Sequence, residues 1–169
     1  DLFAAIEASL GTLPIIAEDL GVITPDVEDL RDSFNFPGMK ILQFAFDSEE
    51  ESNYLPHNYP QNSVAYTGTH DNDTVLGWYQ KAKKSDQDYA REYLNSNGAD
   101  VCFDFIRGAW ASTADIAIIP LQDLLGLGSE ARINTPGNAA GNWQWRFKKG
   151  ELTKAHAEKL KKLTKTYHR

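Results

Sequence analysis

Four short apolar runs recur along this chain, each running into acidic residues: LPIIAEDLG from Leu13, MKILQFAFD from Met39, SVAYTGTHD from Ser63 and ADIAIIPLQD from Ala114. A continuous apolar run with no polar alternation suits a strand covered on both faces, as in a parallel sheet. Between the runs the apolar spacing becomes helical. Leu2, Ile6 and Leu10 share one face, and Gly11 stops that helix. Thr24 is placed to cap a second helix with Pro25 in its first position, and Val27, Leu30 and Phe34 would form its inner face. Asp73-Thr74 opens a third through Val75, Trp78 and Tyr79. Further helices are predicted over 86–96 and 99–112, and a final one turns Leu152, Leu160, Leu163 and Tyr167 inward. The stretch from Asp47 to Asn62 reads as a polar loop whose Glu49-Glu50-Glu51 run is a solvated face.

Repeated strand-then-helix units demand a parallel sheet with right-handed crossovers. Four units make half of an eight-stranded barrel, and a complete one needs about 250 residues. The 169 residues therefore predict an α/β chain forming the second half of a (β/α)8 barrel, one partial domain over 1–169 with no second domain. The start, DLFAAIEASLG, has no initiator Met and lies within an amphipathic helix, so further sequence is expected upstream. An open doubly wound sheet is the alternative. It is weakened because no Gly-rich phosphate loop follows any run, and GLGSEARINTPG lacks the required spacing.

The net charge of -7 argues against nucleic acid, whose phosphates demand a basic face, and favours a neutral partner. One cysteine, Cys102, excludes an intramolecular disulfide framework and suits core filling beside Phe103 and Phe105 in a reducing compartment. No apolar stretch approaches the roughly 20 residues of a membrane span. The expected location is the cytoplasm, or the plastid stroma in a plant.

In parallel barrels the chemistry sits where strands end. Three places qualify: Glu18-Asp19, His70-Asp71 and Gln122-Asp123. Acids there also cap helices or bind loop amides, the plainer role for Asp19, Asp47 and Asp73. Glu18 has no obvious helix to cap. Two carboxylates flanking a bond are what glycosidic chemistry requires, one as acid toward the leaving oxygen and one ionised to attack or to stabilise an oxocarbenium-like centre. Glu18 suits the acid, and His70 beside Asp71 could donate to sugar hydroxyls. Metal binding competes for His70-Asp71, but His57, His156 and His168 lie in the polar loop and the last helix, away from any strand end. No Gly-x-Ser-x-Gly elbow supports a serine triad. Trp143 and Trp145 alternate in NWQWR, facing one side if the segment is extended. Trp78, Trp110 and Trp145 are assigned to the core. Phe44 and Phe46 face the barrel mouth or fill the interior; parity leaves that open.

IIAEDLGVITPDV, PGMKILQFAFD, YTGTHDNDTVLGW and INTPG with GNWQWR stand in order across nearly the whole chain. Together they resemble the C-terminal part of 4-α-glucanotransferase, also called amylomaltase or disproportionating enzyme. The resemblance implies a barrel of the α-amylase clan, truncated at its N-terminal side, that transfers α-1,4-glucan segments with retention to the 4-hydroxyl of an acceptor. It implies a maltooligosaccharide or α-glucan as partner, neither nucleic acid nor membrane, and no metal or other cofactor. By the matched motifs Glu18 would be the general acid/base, Asp71 the transition-state-stabilising carboxylate and His70 a ligand of a substrate hydroxyl. Phe44 would lie by the acceptor region, and Asn134 in the loop after the last strand would contact substrate. The family's nucleophile is an aspartate in an Arg-x-Asp-His-like block, and no such block occurs in these residues. The chain alone is therefore expected to be inactive. A glucan-binding remnant without chemistry, or less favourably a metal-dependent barrel hydrolase, are the other readings.

Overall fold

The computed structural model describes residues 2–49 and 52–169. Three strands form one parallel sheet in the order β1 (Gly38–Ile41), β2 (Ser63–Tyr66), β3 (Ile116–Ile118). Lys40 pairs with Ala65, and Ala65 in turn with Ala117. The helices are α1 (Leu2–Leu10), α2 (Pro25–Ser33), α3 (Val75–Lys81), α4 (Lys84–Tyr93), α5 (Val101–Ala111), α6 (Leu121–Leu124) and α7 (Lys154–Tyr167). Local chemistry sets most of their ends. Gly11 leaves α1 at φ 75°, the left-handed region that glycine takes at little cost. Thr74 and Asp100 accept the Gly77 and Phe103 N–H groups at the starts of α3 and α5.

Three expectations fail here. The run from Leu13 to Gly21 is not a strand. One bond, Ala17 N–H to Pro37 C=O at 2.9 Å, aligns it with the start of β1, and Leu13 and Ile16 remain exposed. Apolar content makes a strand only where a ladder forms. The inner face predicted for α2 is open too: Val27 and Leu30 are exposed, while Phe34 packs against Phe3 and Phe36. Leu152 is also exposed and precedes α7, whose buried contact is Leu163. Of the acidic run, Glu49 is exposed beside Lys83, and Glu50 and Glu51 lie outside the described residues.

The second run stops being a strand at Ile41 and turns into a 3-10 helix, Leu42–Ala45. That turn separates the two phenylalanines. Phe46 enters the core among Trp78, Tyr89, Tyr93 and Phe105, a burial worth about 1.5–3 kcal/mol. Phe44 is 45% exposed and meets Tyr54 edge-on. Cys102 joins the same core, and burial pushes its thiol up to about 12. A smaller cluster of Tyr59, Ala65, Ala109 and Ala114 lies under Trp110.

Candidate active site

The three strands and the Leu13–Gly21 segment leave a cleft of about 620 Å³ at the carboxyl ends of the strands, with Glu18, Phe44, Tyr66, His70, Asp71 and Ile118 among its walls. Four of the five residues singled out from the sequence thus line one concavity. Each is held there differently.

Glu18 is aimed by its neighbours. Asp19 is buried and accepts from the Met39 N–H at 2.7 Å and from Arg31 Nη1 at 2.5 Å. Ala17 is bonded to Pro37 two residues before. These bonds pin the chain to the start of β1 on both sides of Glu18, which is exposed and faces the cleft. Asp19 thus has the structural role its position suggests. Gly38 makes the latch possible, since a Cβ there would lie 2.3 Å from Asp19 Oδ2.

His70 and Asp71 ride on a loop between β2 and α3. Asn72 Oδ1 accepts from the Thr69 N–H and hydroxyl, both at 2.8 Å, which closes the turn. Below it Asp123 of α6 joins the two ends of the loop. Its carboxyl accepts the Val75 N–H at 2.8 Å and meets the Thr67 hydroxyl at 2.5 Å. Asp123 is 1% exposed, and that burial pushes its carboxyl up to about 6. Gln122 is likewise buried and donates to the Ala131 C=O. The Gln122-Asp123 pair is therefore not a strand-end chemical site: β3 ends at Ile118, and both residues turn under the loop on α6. Asp73 is structural, bound by Lys81 at 2.6 Å and Ser129 at 2.7 Å. Asp47 accepts the Glu49 amide.

Asn134 stands behind the cleft and reaches Asp71. Its Nδ2 donates to Asp71 Oδ1 at 2.6 Å, and its N–H donates to the His70 C=O at 3.1 Å. Arg132 bridges the same two residues, donating to the Asp71 C=O at 2.6 Å and to the Asn134 C=O at 2.8 Å. His70 Nε2 lies 3.4 Å from Asp71 Oδ1, and the Trp143 ring sits 5.0 Å from the imidazole. Trp143 has φ 63°, so NWQWR is not an extended segment, and its tryptophans do not share a face by alternation. Trp78 and Trp110 pack on the two clusters, and Trp145 is half-buried.

Residues 1–153 match the sequence model of the family described as 4-alpha-glucanotransferase. The chain belongs to the 4-alpha-glucanotransferase family. It is 51% identical to the 4-alpha-glucanotransferase of Synechocystis over 172 residues, which cover 100% of the chain and 34% of that protein. To the Thermus thermophilus 4-alpha-glucanotransferase it is 47% identical, over 99% of the chain and 35% of the relative. The structure superposes on an amylomaltase from Streptococcus agalactiae in complex with acarbose with a TM-score of 0.95 at 40% identity, covering 99% of the chain and 34% of that protein. The chain thus spans about a third of the length of the 4-alpha-glucanotransferases it matches.

Three residues around this cleft carry no assignment in the sequence analysis: Arg132, Asp123 as an internal tie, and Trp143 as a partner of His70. Asp123 carries a signal, an acid closing an apolar segment, but the same signal fits a strand-end chemical site and a buried tie alike. Arg132 and Trp143 act through contacts 61 and 73 residues distant in sequence, for which no local pattern exists. Among the described residues no group of three or more His, Cys, Asp or Glu is disposed to hold a metal ion, and no helix is long and apolar enough to cross a membrane.

Proposed function

We propose that this chain carries two of the three catalytic carboxylates of an enzyme that transfers α-1,4-glucan segments to the 4-hydroxyl of an acceptor glucan or glucose. Glu18 acts as general acid/base and Asp71 as the carboxylate that stabilises the oxocarbenium-like transition state. The observation that carries the reading is the convergence of Glu18, His70 and Asp71 on one cleft from segments more than 50 residues apart. His70 binds a sugar hydroxyl, Phe44 offers an exposed ring to the acceptor side, and Asn134 holds Asp71 and approaches substrate. No metal or other cofactor is needed, because acid, base and stabiliser are all side chains.

The nucleophilic aspartate of the resembled family is absent from these residues. We assign it to a strand contributed by the rest of the protein. The chain is then the second half of a (β/α)8 barrel, a single partial domain over 1–169, with maltooligosaccharide as substrate. Cytoplasm or plastid stroma fits this chemistry; the Solanum tuberosum relative is described as chloroplastic/amyloplastic. A residual glucan-binding role would keep the cleft without turnover.

Incubating maltotriose with the protein that carries this chain, and with the 169-residue chain alone, tests the reading. Glucose and longer maltooligosaccharides are expected from the first only. Disproportionation by the isolated chain would refute the shared site, and binding without turnover by the carrying protein would favour the remnant.

A further inference from the structure

Trp143 combines three properties that rarely coincide. It is 56% exposed. Its backbone lies in the left-handed region, which bulky residues seldom enter. Its indole nonetheless pairs with an aromatic ring across the loop, the imidazole of His70, with centroids 5.0 Å apart and planes tilted by 39°. A strained backbone persists where surrounding bonds over-determine it, and they do so here. The Trp143 N–H donates to the Ile133 C=O at 2.8 Å. The Asn142 side chain just before it closes the loop on Thr135, accepting the N–H at 2.9 Å and donating to the C=O at 3.3 Å. Arg146 ties the Trp143 C=O at 3.0 Å.

His70 needs such a partner. Its ring makes one polar side-chain contact among the described residues, Nε2 to Asp71 Oδ1 at 3.4 Å, longer than a good hydrogen bond. That contact alone leaves the imidazole free to pivot. His70 lines the cleft and Trp143 is not among its lining residues, so the indole is placed to act on a bound sugar through the imidazole.

We propose that Trp143 is a positioning residue for His70: the left-handed turn at 143 delivers the indole onto the imidazole and fixes the orientation in which that ring meets a sugar hydroxyl. The inference rests on the reading of His70 given under Proposed function. One loop then serves both neighbours, holding Asp71 by its carboxylate through Asn134 and His70 by its ring through Trp143.

The test is a double-mutant cycle in the protein that carries this chain. Trp143→Leu lowers kcat/KM on maltotriose by about tenfold, whereas Trp143→Phe, which keeps a ring, stays within about threefold. In a His70→Ala background Trp143→Leu causes no further loss. Additive losses would overturn the proposal, because the indole would then act independently of His70. Trp143→Gly suits the left-handed backbone and gives a second ring deletion should the leucine variant melt early; the same tenfold loss is expected.

A sugar-free readout stands beside the kinetics. The His70 ring-proton resonances lie upfield in the parent, under the indole ring current, and move downfield in Trp143→Leu and Trp143→Gly. Unchanged resonances would overturn the proposal. A parent that turns over no maltotriose would sink the functional reading, while the resonances would still decide whether Trp143 orients His70.

Discussion

Asn134 holds the carboxylate of Asp71 from 63 residues away in sequence, through an Nδ2–Oδ1 bond of 2.6 Å. The same residue donates its N–H to the His70 C=O, so side chain and backbone together fix how the His70-Asp71 pair stands in the cleft. A carboxylate that stabilises developing positive charge acts only if it is aimed before the charge appears. Asn134→Ala frees Asp71 Oδ1 while leaving the Arg132 bridge to the Asp71 C=O. The expected result is a kcat on maltotriose lower by about tenfold with KM little changed, the signature of an interaction realised mainly in the transition state. A rise in KM at constant kcat would make Asn134 a simple binding residue.

Gly38 is set by a close approach. Its missing Cβ leaves room for Asp19 Oδ2, and Arg31 Nη1 lies 3.0 Å from the same point. Gly38→Ala must push Asp19 away from β1, breaking a part-buried ion pair and the bond to the Met39 N–H. Destabilisation by about 2–4 kcal/mol is expected, read as a lower urea midpoint. Activity should fall further than stability accounts for, since the latch also aims Glu18. Gly21→Ala, where nothing lies within 4 Å of the added Cβ but φ is 103°, strains the backbone without touching the latch and serves as the control.

Asp123 gives the fold a pH dependence with a defined sign. Its carboxyl is raised from 3.8 to about 6 by burial, with Asp73 adding to the same direction. Between those values the folded protein keeps a proton that the unfolded chain has lost, so this contribution to stability is greatest at acidic pH. It declines as pH rises and is lost above about 6. The full swing is about 3 kcal/mol. Asp123→Asn can accept the Val75 N–H and donate to the Thr67 hydroxyl without titrating, so the difference in urea midpoint between variant and parent should widen across this window. A constant difference would show that Asp123 is ionised throughout. Asp123→Ala strands both partners and should cost about 2–4 kcal/mol at acidic pH, the cost shrinking as pH rises through the same window and the parent loses its own contribution.

How much of this was legible follows the range of the interactions. Gly11, Pro25 and Thr74 mark helix ends because such signals are settled within a few residues. Thr24 stands at the N-cap position of α2 but makes no side-chain cap bond, and α4 and α5 lie close to where apolar spacing puts them. The Leu13–Gly21 run misled because an apolar stretch signals burial, whereas a strand needs ladder partners, and this one has a single bond to Pro37. Phe44 and Phe46 defeated parity because a 3-10 turn intervenes. In the site, Glu18, His70 and Asp71 could be named from their places in motifs. That Arg132 and Asn134 grip Asp71, or that Trp143 lies on His70, depends on how a late loop returns over an earlier one.

The sheet has exposed flanks that bear on stability. Ile116 and Ile118 on β3, with Leu13 and Ile16 beside β1, are each at least 37% exposed. Exposed apolar residues along open sheet edges invite association. The 169-residue chain alone should melt broadly at low concentration and self-associate as concentration rises, followed by circular dichroism and sedimentation. A sharp, concentration-independent melt of a monomer would contradict this.

The division of labour between Glu18 and Asp71 is the central claim, and leaving-group chemistry separates the two roles. Fluoride departs without a proton, so an α-glucosyl fluoride donor bypasses the general acid but still passes through the charged transition state. In the protein that carries this chain, Glu18→Gln should lose maltotriose turnover by at least about a hundredfold yet release fluoride at close to the parent rate in the first turnover. Asp71→Asn should be impaired with both donors. Fluoride release that is lost in Glu18→Gln, or retained in Asp71→Asn, would contradict the assignment.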